Sequence, residues 1–184
     1  MAELQVAFVC TGNRFRSPLA AALFARETDG LPLRIVSLGT LELGSRPALP
    51  EAVAIAREQG LDLSDHASRN LRTVDLEPFD LVLGFERMHV MAAVVEAQSS
   101  IERTFTLPEL VMLLRRLPRP PLAADPVERA VVRIRQAHAA RPPGFRSGPL
   151  PELGDPLGMT PQNQRATAAE LSELVSALAV SLFD

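Results

Sequence analysis

The sequence predicts an α/β fold: a parallel sheet with helices on both faces, arranged as a three-layer sandwich. Short, continuous apolar runs, of the kind buried on both sides in a parallel sheet, alternate with stretches of helical periodicity. Strands separated by helices in this way imply right-handed βαβ crossovers. Size agrees, because 184 residues with 47% hydrophobic and 22% charged composition suit one core and are short for two.

Residues 6–9 (VAFV) read as the first buried strand. Cys10 to Arg16 form a loop in which Gly12 and Asn13 are the residue types that most readily take positive φ. Ser17 reads as an N-cap and Pro18 as the first residue of a helix carrying Leu19, Ala22 and Leu23 at helical spacing. Residues 33–37 (LRIVS) make the second strand, whose end at Gly39 and Thr40 is expected beside the loop. A turn leads to a helix over 51–59, stopped by Gly60, and then to the polar stretch 61–71, which contains His66. Residues 80–85 (DLVLGF) are the third strand. The helical pattern that follows places Met88, Met91, Ala92 and Val95 on one face. Residues 103–107 (RTFTL) are the fourth. His89 and His138 fall within helices and look ordinary.

From about 108 to 153 the pattern changes to a helical, basic insertion within the single domain 1–184. It holds helices over 108–117 and 126–140, split by PRPP. Arg115, Arg116, Arg119, Arg129, Arg133, Arg135, Arg141 and Arg146 there outnumber Asp125 and Glu128. This basic stretch is either a solvated face or a docking surface for an acidic partner. The motif GDPLG at 154–158 precedes a last helix over 161–182.

Composition excludes several classes. A net charge of −3 argues against a general nucleic-acid binder. No uninterrupted apolar run approaches the roughly 18 residues of a membrane span, and no basic, apolar and small-residue leader is visible, so a cytoplasmic location is expected. One cysteine and three scattered histidines build neither an internal disulfide nor a usual zinc site, and no cofactor is expected.

That cysteine carries the chemistry. A thiol at a strand end, facing a helix N-terminus with a guanidinium six residues on, favours the thiolate. The loop's backbone N–H groups at residues 11–16 and the Arg16 fork suit the oxygens of a phosphate monoester, leaving phosphorus open to attack by Cys10. The leaving group then needs a proton from a carboxylic acid above the loop. Asp155 is the candidate and Asp125, a second Asp-Pro pair lacking the following glycine, its competitor. Ser17 can add a hydroxyl hydrogen bond to the sulfur.

At these residues the chain resembles the low-molecular-weight protein tyrosine phosphatases. The pattern Val-Cys-x-Gly-Asn-x-x-Arg-Ser-Pro stands here as Val9, Cys10, Gly12, Asn13, Arg16, Ser17 and Pro18. SLGT at 37–40 is similar to the family's Ser-Ala-Gly-Thr, and HASR at 66–69 to its His-x-x-Arg. The resemblance implies a four-stranded parallel sheet, no metal and a phosphocysteine mechanism. It also implies a hydrogen-bond network of Ser37, His66 and Asn13 bracing the loop, Asp155 as general acid, and a phosphorylated protein as substrate, such as a bacterial tyrosine kinase.

Departures from the pattern bear on substrate. Arg14 and Phe15 replace the family's usual Ile-Cys; Arg14 either faces phosphate or projects outward, and Phe15 is expected to pack beneath the loop. Leu157 and Met159 stand where an aromatic wall is usual. Phosphotyrosine is the expected substrate, and Thr11 keeps phosphoarginine as an alternative. A non-catalytic module that binds a phosphorylated partner is a further alternative, whereas arsenate reduction would need cysteines that the chain lacks.

Overall fold

A computed structural model describes residues 3–118, 125–145 and 148–184. Its elements are β1 (Leu4–Cys10), α1 (Arg16–Glu27), β2 (Leu33–Gly39), α2 (Pro50–Glu58), β3 (Leu81–Gly84), α3 (Arg87–Glu96), β4 (Thr104–Thr106), α4 (Leu107–Arg116), α5 (Pro126–Ala139) and α6 (Pro161–Phe183). The four strands are parallel, in the order β2-β1-β3-β4. The chain leaves β1 toward β2 on one side and returns to β3 on the other. The crevice at the C-terminal end of β1 is therefore a topological switch point, where open α/β sheets place their ligands.

Strand alternation divides the core. Leu4, Val6, Phe8 and Cys10 pack with α1, α2, α4, α5 and α6, while Ala7 and Val9 face the opposite layer with Val82 and Ala93 of α3. Cys10 is thus the last inward residue on the α1 side. Helix α6 is long and apolar enough to cross a membrane, but Ala168, Leu171, Val175, Leu178 and Leu182 are buried in the core.

The structure sets the direction of one helix face and corrects one helix cap. Met88, Met91 and Val95 share a face of α3, yet they are exposed, and His89, Val90 and Ala93 are the buried residues. A capping box sets this rotation: Nδ1 of His89 accepts from the backbone N–H of Glu86 at the N-cap, which draws His89 inward. Gly84 makes room, because a Cβ there would stand 2.8 Å from that of His89. Ser17 is not the cap of α1. The N-cap is Phe15, which has no side-chain hydrogen bond, and the Ser17 hydroxyl turns into the loop.

The helices of the basic stretch after β4 pack into the core. Leu107, Leu110, Leu114, Val127, Ala130 and Ile134 belong to the main core. Several of its arginines are inside as well, which removes them from any docking surface. Arg133 donates to the carbonyls of Leu114, Pro118 and Ser181, and Arg129 to that of Phe183. Arg141 lies between the rings of Phe105 and Phe145, with its guanidinium carbon 3.9 and 4.4 Å from their centroids, and forms a two-pronged pair with Glu109 at 2.8 and 3.0 Å. Arg115, Arg116 and Arg135 are exposed; Arg119 and Arg146 lie outside the described residues. Long side chains whose charge is met by backbone carbonyls and a carboxylate act as struts between layers.

Arg141→Ala is expected to destabilise by about 3–5 kcal/mol, because it leaves Glu109 as a buried, unpaired carboxylate. Thermal unfolding should show a midpoint lower by roughly 10 °C. Adding Glu109→Gln should recover part of the loss; an unchanged midpoint for Arg141→Ala would contradict the strut.

Candidate active site

The crevice above β1 is floored by the loop between β1 and α1. Asn13 takes the left-handed conformation there, at φ 50°, whereas Gly12 does not adopt positive φ. Gly39, paired with Cys10 across the sheet, keeps the floor open: a Cβ on it would meet Asn13 N and Thr11 O at 3.0 Å.

The sulfur of Cys10 is held from two directions. The backbone N–H of Asn13 donates to it at 3.2 Å, and the Ser17 hydroxyl lies 3.0 Å away. Ser17 has one proton for two acceptors, the sulfur and the Leu38 carbonyl at 3.1 Å; a thiolate claims it. Asn13 Nδ2 donates to the same hydroxyl at 2.9 Å and leaves it free to do so.

The 66–69 segment clamps Asn13. His66 Nε2 donates to its carbonyl at 2.6 Å, and the backbone N–H of Arg69 donates to its side-chain oxygen at 2.8 Å. Burial pushes the His66 pKa down, partly offset by its bond to that carbonyl. Ser37 is not part of this network. It pairs with Phe8, two residues down the strand from the Cys10 level, about 6.6 Å below the loop, and Ser17 stands in its place.

Arg16 is buried, and both terminal nitrogens of its guanidinium are engaged. One terminal nitrogen donates to Glu86 Oε2 at 2.6 Å and to the Leu153 carbonyl at 3.0 Å. The other meets Asp155 Oδ2 at 2.7 Å and Thr11 Oγ1 at 3.4 Å. Asp155 comes from the segment before α6, which is tied down by the Leu153 N–H donating to the Phe85 carbonyl at 2.8 Å. Its competitor Asp125 instead caps α5, accepting from the backbone N–H groups of Val127 and Glu128.

Cys10, Thr11, Gly12, Arg14, Phe15, Arg16 and Asp155 line one cleft of about 230 Å³, whose walls are Leu41, Leu43, Leu49 and Leu157. Met159 is not among them. Arg14 leans outward along the rim, its Nε donating to the Pro47 carbonyl at 2.8 Å and its own carbonyl accepting from Leu49 N. Phe15 is buried in the main core as well as bordering the cleft.

Glu86 and His89 were not singled out from the sequence. A signal for them existed: a carboxylate and an imidazole three residues apart, directly after a buried strand whose C-terminal end must open on the site. His89 is fully buried, with Nε2 3.0 Å from Thr11 Oγ1, and burial and then the neighbouring Arg16 charge push its pKa down to about 4.

This shift has a consequence for stability. In the unfolded chain His89 titrates near 6.5, so between there and about pH 4 the unfolded state binds the extra proton. Its contribution is fully present above that window and falls by up to about 1.4 kcal/mol per pH unit as the solution is acidified through it. His66 acts in the same direction. Urea unfolding at pH 7, 5.5 and 4.5 should show the decline, and His89→Gln should show less of it; a flat profile for the unaltered protein would contradict the neutral, buried imidazole.

Comparison with known proteins places these features. Residues 5–116 match the low molecular weight phosphotyrosine protein phosphatase family. The protein-arginine-phosphatase of Bacillus subtilis (strain 168) is 34% identical over 110 residues, covering 59% of this chain and 73% of that protein. The low molecular weight protein-tyrosine-phosphatase Etp of Escherichia coli (strain K12) is 33% identical over 93 residues, 49% of this chain; the match covers 62% of Etp, less than two thirds of its length. Among solved structures, a low molecular weight protein tyrosine phosphatase from T. tengcongensis superposes with a TM-score of 0.70 at 29% identity, over 95% of this chain and 97% of its own. A YwlE mutant from Bacillus subtilis superposes at 0.71 and 26% identity, over 98% and 99%. With the family match over more than half of its length and the same four-stranded parallel sheet, the chain belongs to the low molecular weight phosphotyrosine protein phosphatase family.

Proposed function

We propose that the chain is a protein-tyrosine phosphatase working through a phosphocysteine. The observation that carries this reading is that Cys10, Arg16 and Asp155, from opposite ends of the sequence, line one cleft with Arg16 bonded to Asp155. A substrate phosphate seated on the N–H groups of residues 11–16 takes over the Arg16 nitrogen that Asp155 now holds. Asp155 is then released, takes the proton that the phosphate monoester monoanion brings, and acts as an acid. The Cys10 thiolate attacks phosphorus, the P–O bond breaks, and the leaving oxygen takes the Asp155 proton. Asp155, now a carboxylate, removes a proton from water, which attacks phosphorus and releases phosphate and the thiolate.

The rim supports phosphotyrosine. Leu41, Leu43 and Leu157 give an apolar mouth that accepts a ring, and Arg14 adds positive charge beside the loop, unfavourable to a guanidinium. Phosphoarginine is the second reading, favoured by the similarity to the Bacillus subtilis arginine phosphatase and by Thr11 in the loop. A module that binds phosphate without turnover has no use for Asp155 positioned beside Arg16.

The test is hydrolysis of peptides carrying phosphotyrosine, phosphoarginine or phosphoserine at one site. The expected order of kcat/KM places phosphotyrosine first by at least about tenfold, with Arg14→Glu narrowing its lead over phosphoarginine. A preference for phosphoarginine would replace the substrate assignment, and no turnover of any of them would remove the enzymatic one.

A further inference from the structure

We infer that His89 is a positioning residue that, through Thr11, aims a hydroxyl donor at the substrate's phosphoryl group. This rests on the phosphate reading above and adds to it a residue outside the loop. Nδ1 of His89 lies 3.3 and 3.1 Å from the backbone nitrogens of Phe85 and Glu86. Both are N–H donors, so Nδ1 must present a lone pair. A neutral imidazole then carries its proton on Nε2, and that atom is 3.0 Å from Thr11 Oγ1.

Thr11 is therefore an acceptor on its protein side. Arg16 supplies a second donor to the same oxygen at 3.4 Å. With its lone pairs turned to His89 and Arg16, the hydroxyl is left with its own proton, for which no acceptor stands among the described residues. Thr11 lines the cleft beside Cys10 and Arg16, and the remaining direction is the one open to a bound oxyanion. The opposite tautomer would reverse the arrangement. A proton on Nδ1 would oppose two backbone N–H groups, and Nε2 would draw the Thr11 proton away from the cleft. The choice is thus made by the turn after β3, where Gly84 has no side chain to keep His89 from approaching.

Three measurements test the inference. The chain holds only His66, His89 and His138, so long-range proton–nitrogen spectra of the imidazoles resolve His89. The expected signature is an unprotonated Nδ1 and a protonated Nε2, unchanged from pH 7 to 5.5; an Nδ1–H tautomer overturns the inference. In aryl phosphate hydrolysis, Thr11→Val should lose about tenfold in kcat/KM, with Thr11→Ser restoring most of it. His89→Leu should lose a similar factor alone and none further in the Thr11→Val background. Losses that multiply in the double variant would show that His89 acts other than through Thr11.

Calorimetric titration with inorganic phosphate repeats the comparison without turnover, expecting weaker binding by Thr11→Val than by the unaltered protein or Thr11→Ser. If the unaltered protein hydrolyses no phosphomonoester yet binds phosphate in that order, the enzymatic reading falls and the inference stands. Equal affinities overturn the inference whatever the activity. Should His89→Leu fail to fold, the tautomer and the Thr11 pair still decide.

Discussion

Cys10→Ser is expected to lose aryl phosphate hydrolysis by on the order of 10⁴-fold or more while still binding inorganic phosphate. The reason lies in which interactions the change removes. In the proposed mechanism the sulfur is the nucleophile, with the Asn13 N–H at 3.2 Å and the Ser17 hydroxyl at 3.0 Å beside it, and a serine hydroxyl is the weaker one. The groups proposed to hold phosphate, the loop N–H donors and Arg16, are left in place. Loss of turnover with binding retained is thus the signature of a nucleophile, and loss of both would indicate a collapsed loop. Circular dichroism and phosphate titration separate the two. Turnover by Cys10→Ser within a few fold of the unaltered protein would remove the phosphocysteine from the mechanism.

Asp155→Asn should lower kcat by about 10²–10³-fold on a phosphotyrosine peptide and by less on para-nitrophenyl phosphate, whose leaving group needs little help from a proton. The dependence on leaving group is the discriminating readout, because a residue that merely steadied Arg16 would cost both substrates alike. Asp155 is about a third exposed and salt-bridged to Arg16 at 2.7 Å, so the substitution leaves no buried charge unpaired: Arg16 keeps Glu86 at 2.6 Å and the Leu153 carbonyl. Equal losses on the two substrates, or a comparable effect from Asp125→Asn, would take the acid role from Asp155.

Strands β1 and β3 were legible because burial on both faces leaves an apolar run, and each of the four strands appears within one or two residues of where the sequence puts it. The loop was legible because a strand end, a residue tolerant of left-handed φ and a helix start are local signals, and Asn13 does adopt that conformation. The direction of α3 was not. Its apolar spacing marks one face, and the capping bonds of His89 turn that face to solvent. Nor did composition tell a solvated arginine from a buried one: Arg133 and Arg141 lie inside because carbonyls and Glu109 from distant segments meet their charge.

By itself, the sequence determined the parallel α/β class and marked the 10–16 loop, with Cys10, Arg16 and Asp155, as the candidate site, since each reading depends on neighbours a few positions away or on residue type. Only the tertiary structure decided which groups surround them. The Glu86 and Asp155 carboxylates, 70 and 139 positions from Arg16 in sequence, meet its two terminal nitrogens, and the turn after β3 selects the His89 tautomer that faces Thr11. Hydrogen bonds and ion pairs act over about 3 Å in space with no fixed range along the chain, so their partners are settled when the sheet order and the packing of the 148–156 segment bring them together.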